Sequence, residues 1–303
     1  MRLILHYFKV ISLFFVSVSA LANTTTHQQA LLWQVQFQTS TVYLAASIHA
    51  LSPANYPLPE AYLNAYEKAD KLVVELNINA LNPYYSHSLV ESKTWLKKGL
   101  SLEEYLSKES LKSLKFFSQQ SQTDYATLIR MRPWIIIEQL TGYQLKQTAF
   151  QTELGFDQFF LQRAQAQNKP ILELETLAQQ ISAIADSPFA SQITALELSL
   201  QQMQDEGYLE KMVDFWRRAD ADGLYAFVYQ DVIDHPALKP MMDRLLDQRN
   251  QHMADVISLY LTSPARTQNR YFVVVGALHL SGPNSIVKRL EQKGYYVQAL
   301  FNQ

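Results

Sequence analysis

The stretch Tyr271-Phe-Val-Val-Val-Gly276-Ala-Leu-His279 runs five apolar residues into a glycine and then a histidine. A continuous β-branched and aromatic run of this length reads as a strand buried on both faces. The same order recurs near the other end of the chain, where Thr41-Val-Tyr-Leu-Ala-Ala46-Ser-Ile-His49 passes from strand to small residue to histidine. Lys71–Leu76 (KLVVEL) is a third short strand, with the Glu75 carboxylate at or near its end. Ligands of open α/β sheets bind beyond the carboxyl ends of the strands, so chemistry is expected at these three endings.

Working outward, Leu31–Phe37 and Thr41–Leu44 predict a hairpin, and Glu60–Ala69 a helix. Ser101-Leu-Glu-Glu104 has the capping-box pattern and predicts a helix from Ser101 to about Ser118. After Met131-Arg132-Pro133-Trp134 the pattern is helical through Leu145, and again over Gly155–Gln167. Asn168-Lys169-Pro170 turns into a strand at Ile171–Leu174. From about Ala178 to Leu261 the chain reads as almost wholly helical, with breaks near Gly207, Asp220 and Pro236. Ser285–Lys293 is a helix stopped by Gly294, and Tyr295–Leu300 a last strand. The fold class is therefore α/β: a central sheet built from strands near both termini, covered by helices, with a largely helical middle region.

A composition of 48% hydrophobic and 18% charged residues excludes a disordered or collagen-like chain. The absence of Cys excludes a disulfide scaffold, an iron–sulfur cluster, a Cys-ligated zinc and a cysteine nucleophile. Any metal must be held by oxygen or by the seven histidines. Residues 1–22 combine basic Arg2 and Lys9, an apolar run from Val10 to Val18 and the small-x-small ending Ala20-Leu21-Ala22. This reads as a signal peptide, with residues 23–303 as the exported domain; an uncleaved anchor is the alternative. The expected destination is the periplasm, with secretion also open, and no stable membrane span is expected after cleavage. The whole chain carries −2, and losing Arg2 and Lys9 makes it −4, which argues against a nucleic-acid partner.

His49, His279 and Glu75 form an oxygen/nitrogen set suited to Zn, Mn, Fe or Co, which would activate water. The small residues Ala46 and Gly276 let the backbone approach a ligand. The other reading is structural: hydrogen-bonded histidines and a half-exposed or ion-paired glutamate. His27, His87, His235 and His252 read as structural or solvated, and His6 belongs to the leader. Neither a Gly-rich phosphate loop nor a GxSxG elbow occurs.

Several landmarks then follow in order. They begin with Leu32-Trp33-Gln-Val35, Val42-Tyr-Leu44, Ser47-Ile-His49, Pro57-Leu-Pro59, Ala65-Tyr-Glu-Lys-Ala69 and Leu72-Val-Val-Glu75. Arg132-Pro133-Trp134, Gly155-Phe-Asp157, and Leu174-Glu175-Thr176 with Gln180 mark the middle. Arg249-Asn250 with Met253, Gly276-Ala-Leu-His279-Leu-Ser-Gly282-Pro283 and Gly294-Tyr-Tyr-Val297 close the series. On these residues the chain, over roughly 31–300, resembles the TraB/GumN family, which includes Tiki-type proteins and is distantly similar to erythromycin esterases and ChaN-like proteins.

The resemblance implies a helix-covered sheet on which two GxxH segments bring a pair of histidines together, and a metal-dependent peptidase activity as in Tiki-type members. It makes His49, Glu75 and His279 the metal or catalytic candidates, with Arg249, Asn250 and Glu175 as further pocket residues. The implied ion is Mn, Co or Zn, and the implied partner a peptide or small-molecule substrate. In this reading Glu75 is third ligand or base, Arg249 stabilises an oxyanion, Asn250 orients it, and Glu175 fixes an imidazole. Ala46 stands where the family has Gly, and its extra methyl is expected to crowd the cleft. A non-catalytic binding protein retaining the cleft, and an interaction partner in envelope or polysaccharide assembly, are the competing expectations.

Overall fold

The computed structural model describes residues 29–204, 207–262 and 269–301. The leader expected at residues 1–22, and His27 after it, lie outside the described residues. Strands β1 (Leu32–Phe37) and β2 (Ser40–Ser47) form the antiparallel hairpin, with Leu32 opposite Ala45 and Phe37 opposite Ser40. Helix α1 (Glu60–Lys68) leads to β3 (Lys71–Val74). The middle of the chain is helical: α2 (Pro83–Ser92), α3 (Lys108–Ser121), α4 (Tyr125–Leu128), α5 (Pro133–Leu145) and α6 (Phe156–Ala166). Strand β4 (Ile171–Glu173) interrupts it.

There follow α7 (Leu177–Ala185), α8 (Phe189–Gln201), α9 (Gly207–Arg217), α10 (Ala221–Asp234) and α11 (Lys239–Met242). A π-helical turn over Asp243–Gln248 feeds α12 (Arg249–Thr262). Strand β5 (Arg270–Gly276), helices α13 (Ala277–Leu280) and α14 (Ile286–Gln292), and strand β6 (Tyr296–Ala299) complete the chain. Among the described residues, no helix is long and apolar enough to cross a membrane.

The sheet runs β4-β3-β5-β2-β1-β6. Strands β4, β3, β5 and β2 are mutually parallel neighbours, while β1 pairs antiparallel with β2 and β6. The Tyr271–Val275 run therefore lies in the middle of the sheet, and all five residues are buried. Alternation sends its side chains to two covers. Phe272 meets Tyr66 of α1 and Phe160 of α6, at centroid distances of 5.7 and 4.8 Å. Tyr271 stacks on Tyr260 of α12 at 4.9 Å. Fully covered β2 is buried at every position, as expected for a strand with helices on both faces.

Two local expectations change. The capping box at Ser101 closes only a 3₁₀ turn, Leu102–Glu104, and the long helix starts afresh at Lys108 under Ser107, whose hydroxyl accepts from Ser110 N–H. The Tyr/Ser-rich stretch around His87 folds as α2 with no buried residue, which is why no apolar period announces it. The predicted breaks near Gly207, Asp220 and Pro236 are joined by one at Ser187-Pro188, between α7 and α8.

Candidate functional site

Four adjacent parallel strands each deliver polar groups to the same edge of the sheet. Glu175 follows β4, Glu75 follows β3, Gly276 ends β5 with His279 a turn beyond, and Ser47 ends β2 with His49 two residues on. Glu75 is 8% exposed, Glu175 4%, His279 5% and Asn250 2%. Ionisable groups are buried this far only when partners hold them.

Arg249 supplies the main partnership. Its Nη2 donates to Glu75 Oε2 and to Glu175 Oε2, both at 2.6 Å, and its Nε donates to Glu175 Oε1 at 2.9 Å. Nη1 donates to the Leu245 carbonyl. Gln180 Nε2 donates to Glu75 Oε2 at 3.2 Å, and Gly276 N–H to Glu75 Oε1 at 2.7 Å. Burial pushes the Glu75 carboxyl up. The fields of His279, Arg249 and His49 and the Gly276 N–H outweigh it and bring the pKa down to about 2. Burial tends to lower the Arg249 pKa; bonds to Glu175 and the field of Glu75 raise it instead, and the guanidinium stays charged.

His279 is held from behind. Asn250 Nδ2 donates to the Asn284 carbonyl at 2.9 Å, which points Asn250 Oδ1 at His279 Nδ1, 2.6 Å away. Nδ1 must then carry the proton, and Nε2 keeps a bare lone pair 3.8 Å from Glu75 Oε1. Burial lowers the His279 pKa to about 4, with Glu75 working against it. The ring is neutral at physiological pH.

His49 behaves oppositely. Its Nδ1 donates to Asp157 Oδ1 at 3.0 Å, and 68% of its side chain is exposed. The Asp157 carboxylate raises its pKa to about 9; water reaching the ring weakens that field. Exposed Glu138 on α5 lies close enough to feel the His49 charge. Crowding by protein raises its pKa, and the His49 charge works against that rise. Asp157 reaches His49 because α6 comes very close: a Cβ on Gly155 would stand 2.3 Å from the His49 carbonyl, and Phe156 N–H donates to the Ile48 carbonyl.

All six residues expected at the site thus lie in one cluster, with partnerships partly rearranged. Asn250, and not Glu175, fixes an imidazole. Glu175 instead holds the guanidinium, and Arg249 is engaged at every nitrogen. Ala46 is fully buried and pairs with Val275, so alternation puts its methyl on the face opposite that of Gly276. It does not crowd the recess. Asp157, Gln180 and Ser47 join the cluster although only their place in ordered landmarks marked them. His87 and His235 are exposed, and His252 Nε2 bonds the Leu174 carbonyl at 3.1 Å.

The space above Gly276 tests whether a metal ion suits these groups. A Cβ there would lie 3.4 Å from Glu75 Oε1, 3.5 Å from His279 Cδ2 and 3.8 Å from His49 Nε2. Both imidazoles have Nδ1 bonded to oxygen and Nε2 turned away from that bond, an arrangement common to metal-binding histidines. The two carboxylates beside Arg249, with Asp157, leave the cluster net negative when the histidines are neutral. The donor chemistry fits a divalent ion, although among the described residues no three such side chains stand at metal-ligand spacing. Closing the sphere requires the exposed His49 ring to turn inward.

A model of the TraB/PrgY/gumN family matches residues 31–299. An uncharacterized protein YbaP of Escherichia coli (strain K12) is 27% identical over 250 residues, covering 82% of this chain and 87% of the relative. The protein of the same description from Shigella flexneri matches to the same extent. An uncharacterized protein of Treponema pallidum (strain Nichols) is 22% identical over 188 residues, 60% of this chain and 54% of its own. No solved structure matches the chain.

Proposed function

The chain belongs to the TraB/PrgY/gumN family, and from that premise we propose that it is a metal-dependent hydrolase, peptidase-like, with His49, Glu75 and His279 as its metal-binding set. The observation that carries this reading is the gathering of Glu75 Oε1, the His279 ring and His49 Nε2 around the place where Gly276 has no side chain, with Glu75 Oε1 at 3.4 Å, His279 Cδ2 at 3.5 Å and His49 Nε2 at 3.8 Å from the position a Cβ would take. A bound Mn, Co or Zn ion supplies Lewis acidity at the reacting groups. The protein's own residues do the positioning. Asn250 fixes the His279 tautomer with Nε2 bare. Arg249 and Gly276 N–H keep Glu75 ionised and stationary. With a pKa of about 2, Glu75 suits a ligand better than a proton acceptor. Arg249 and Asn250 then act through Glu75 and His279, not directly on an oxyanion. His49 faces the open side of the recess, where a substrate enters.

Metal analysis of purified protein after saturation with Mn, Co and Zn, beside His49→Ala and His279→Ala, tests the proposal. Wild type should retain metal and both variants lose it, and peptide or ester turnover should stop in chelator. Equally poor binding in all three removes the metal. Ligand binding that survives chelator, without turnover in a broad peptide and ester screen, replaces the enzyme by a binding protein. Export through residues 1–22 to the periplasm is part of the proposal; cell fractionation and a mature N-terminus at Asn23 are its expected signs.

A further inference from the structure

We infer that Ser47 is a further positioning residue of this site, its hydroxyl holding a water molecule in the recess over Gly276. The inference rests on the reading of that recess as the reaction centre. Ser47 is the last residue of β2 and pairs with Gly276, the last residue of β5, in parallel register. Paired residues of a parallel ladder send their side chains to the same face, from strands about 4.8 Å apart. The Ser47 side chain therefore stands beside the place where Gly276 has none. Ser47 is 2% exposed, and its Oγ has no hydrogen-bond partner among the described residues.

Other serines at this end of the molecule are satisfied: Ser281 Oγ donates to the Ala277 carbonyl and Ser52 Oγ to Asn55 Oδ1. An orphaned buried hydroxyl is destabilising unless something outside the protein pairs with it.

A water in the recess balances donors and acceptors. Its two hydrogens go to Glu75 Oε1 and to the bare His279 Nε2, and its oxygen accepts the Ser47 hydroxyl proton. Three polar partners are the usual complement of a buried water. Glu75 and neutral His279 only accept from this water, and the Ser47 hydroxyl, fixed at the end of β2, supplies an O–H to its oxygen.

A double-mutant cycle on chelator-treated protein tests the inference. Ser47→Ala should lower the melting temperature by about 2–4 °C in the wild-type background. Gly276→Ala pushes a methyl into the space the water needs. In that background, Ser47→Ala should leave the melting temperature unchanged or raise it, because the hydroxyl has already lost its partner. Equal shifts in both backgrounds overturn the inference. So does a crystal structure near 1.5 Å resolution with no water within hydrogen-bond distance of Ser47 Oγ. The functional arm is Mn²⁺ titration: affinity should fall about tenfold in Ser47→Ala and return in Ser47→Thr. Equal affinity of a Mn²⁺-binding wild type and both variants overturns the positioning role. Absence of Mn²⁺ binding by wild type instead sinks the metal-dependent reading, and the cycle and the crystal structure still decide the water site.

Discussion

At position 276 an added methyl would stand 3.4 Å from Glu75 Oε1 and 3.5 Å from His279 Cδ2, ordinary van der Waals distances. The backbone there has φ −52° and ψ 138°, which any residue adopts. The methyl itself is therefore accommodated without steric strain, and Gly276→Ala should cost about 1–3 kcal/mol through the polar groups left without their water, while weakening Mn²⁺ binding at least tenfold. Calorimetry and titration on the same samples check both halves, and an unaltered affinity would place the ligand elsewhere. Arg249 poses the reverse case. Removing its guanidinium leaves two buried carboxylates facing each other without a cation, so Arg249→Gln should cost about 3–5 kcal/mol in chemical denaturation. His49, Glu75 and His279 were legible because each is a polar residue just past an apolar strand. Asp157 was not legible as a partner. It meets His49 across 108 positions only because Gly155 lets α6 approach the His49 carbonyl, and local spacing does not record such an approach.

Helix starts show the same limit one level up. Ser101 and Glu104 make their reciprocal bonds, but only a 3₁₀ turn follows, and α3 depends on Ser107. Ser107→Ala should cost about 1 kcal/mol of stability through the lost bond to Ser110 N–H, read as a lower denaturation midpoint at constant m-value. A wild-type midpoint would mean that the neighbouring Glu197 carboxylate, which accepts from Ser107 N–H, already satisfies the helix start. The π-helical turn at Asp243–Gln248 is a second element-scale feature that apolar periodicity did not show. It immediately precedes α12, whose first residue reaches Glu75 and Glu175 while the second reaches His279. Such turns occur often at functional sites. The strands, by contrast, were legible to within a residue or two except β2, which runs on from the expected Leu44 to Ser47; covered β5 shows as an unbroken apolar run because nothing polar can be buried along it.

The sheet assembles its site from segments more than 200 residues apart, so folding and site formation are one event, and pH should reveal it in metal-free protein. His279 has a folded pKa of about 4 against an ordinary 6.5. Between those values the unfolded chain binds more protons than the folded one, and stability falls as pH falls. Glu75, at about 2 against 4.5, extends the loss below pH 4.5. His49 has the opposite sign. Its pKa is raised to about 9 by Asp157, so its contribution is full below pH 6.5 and fades as pH rises through 9. Solvent at the exposed ring makes this alkaline limb the shallower of the two. Denaturant unfolding in chelator should thus show greatest stability near pH 6.5, with a steep acid side. His279→Gln should flatten the limb between pH 6.5 and 4 while leaving the alkaline limb intact, and His49→Gln should do the reverse. An acid limb unchanged by His279→Gln would mean that the ring is not held neutral by its burial, and the bare Nε2 on which the metal and water readings both depend would have to be given up.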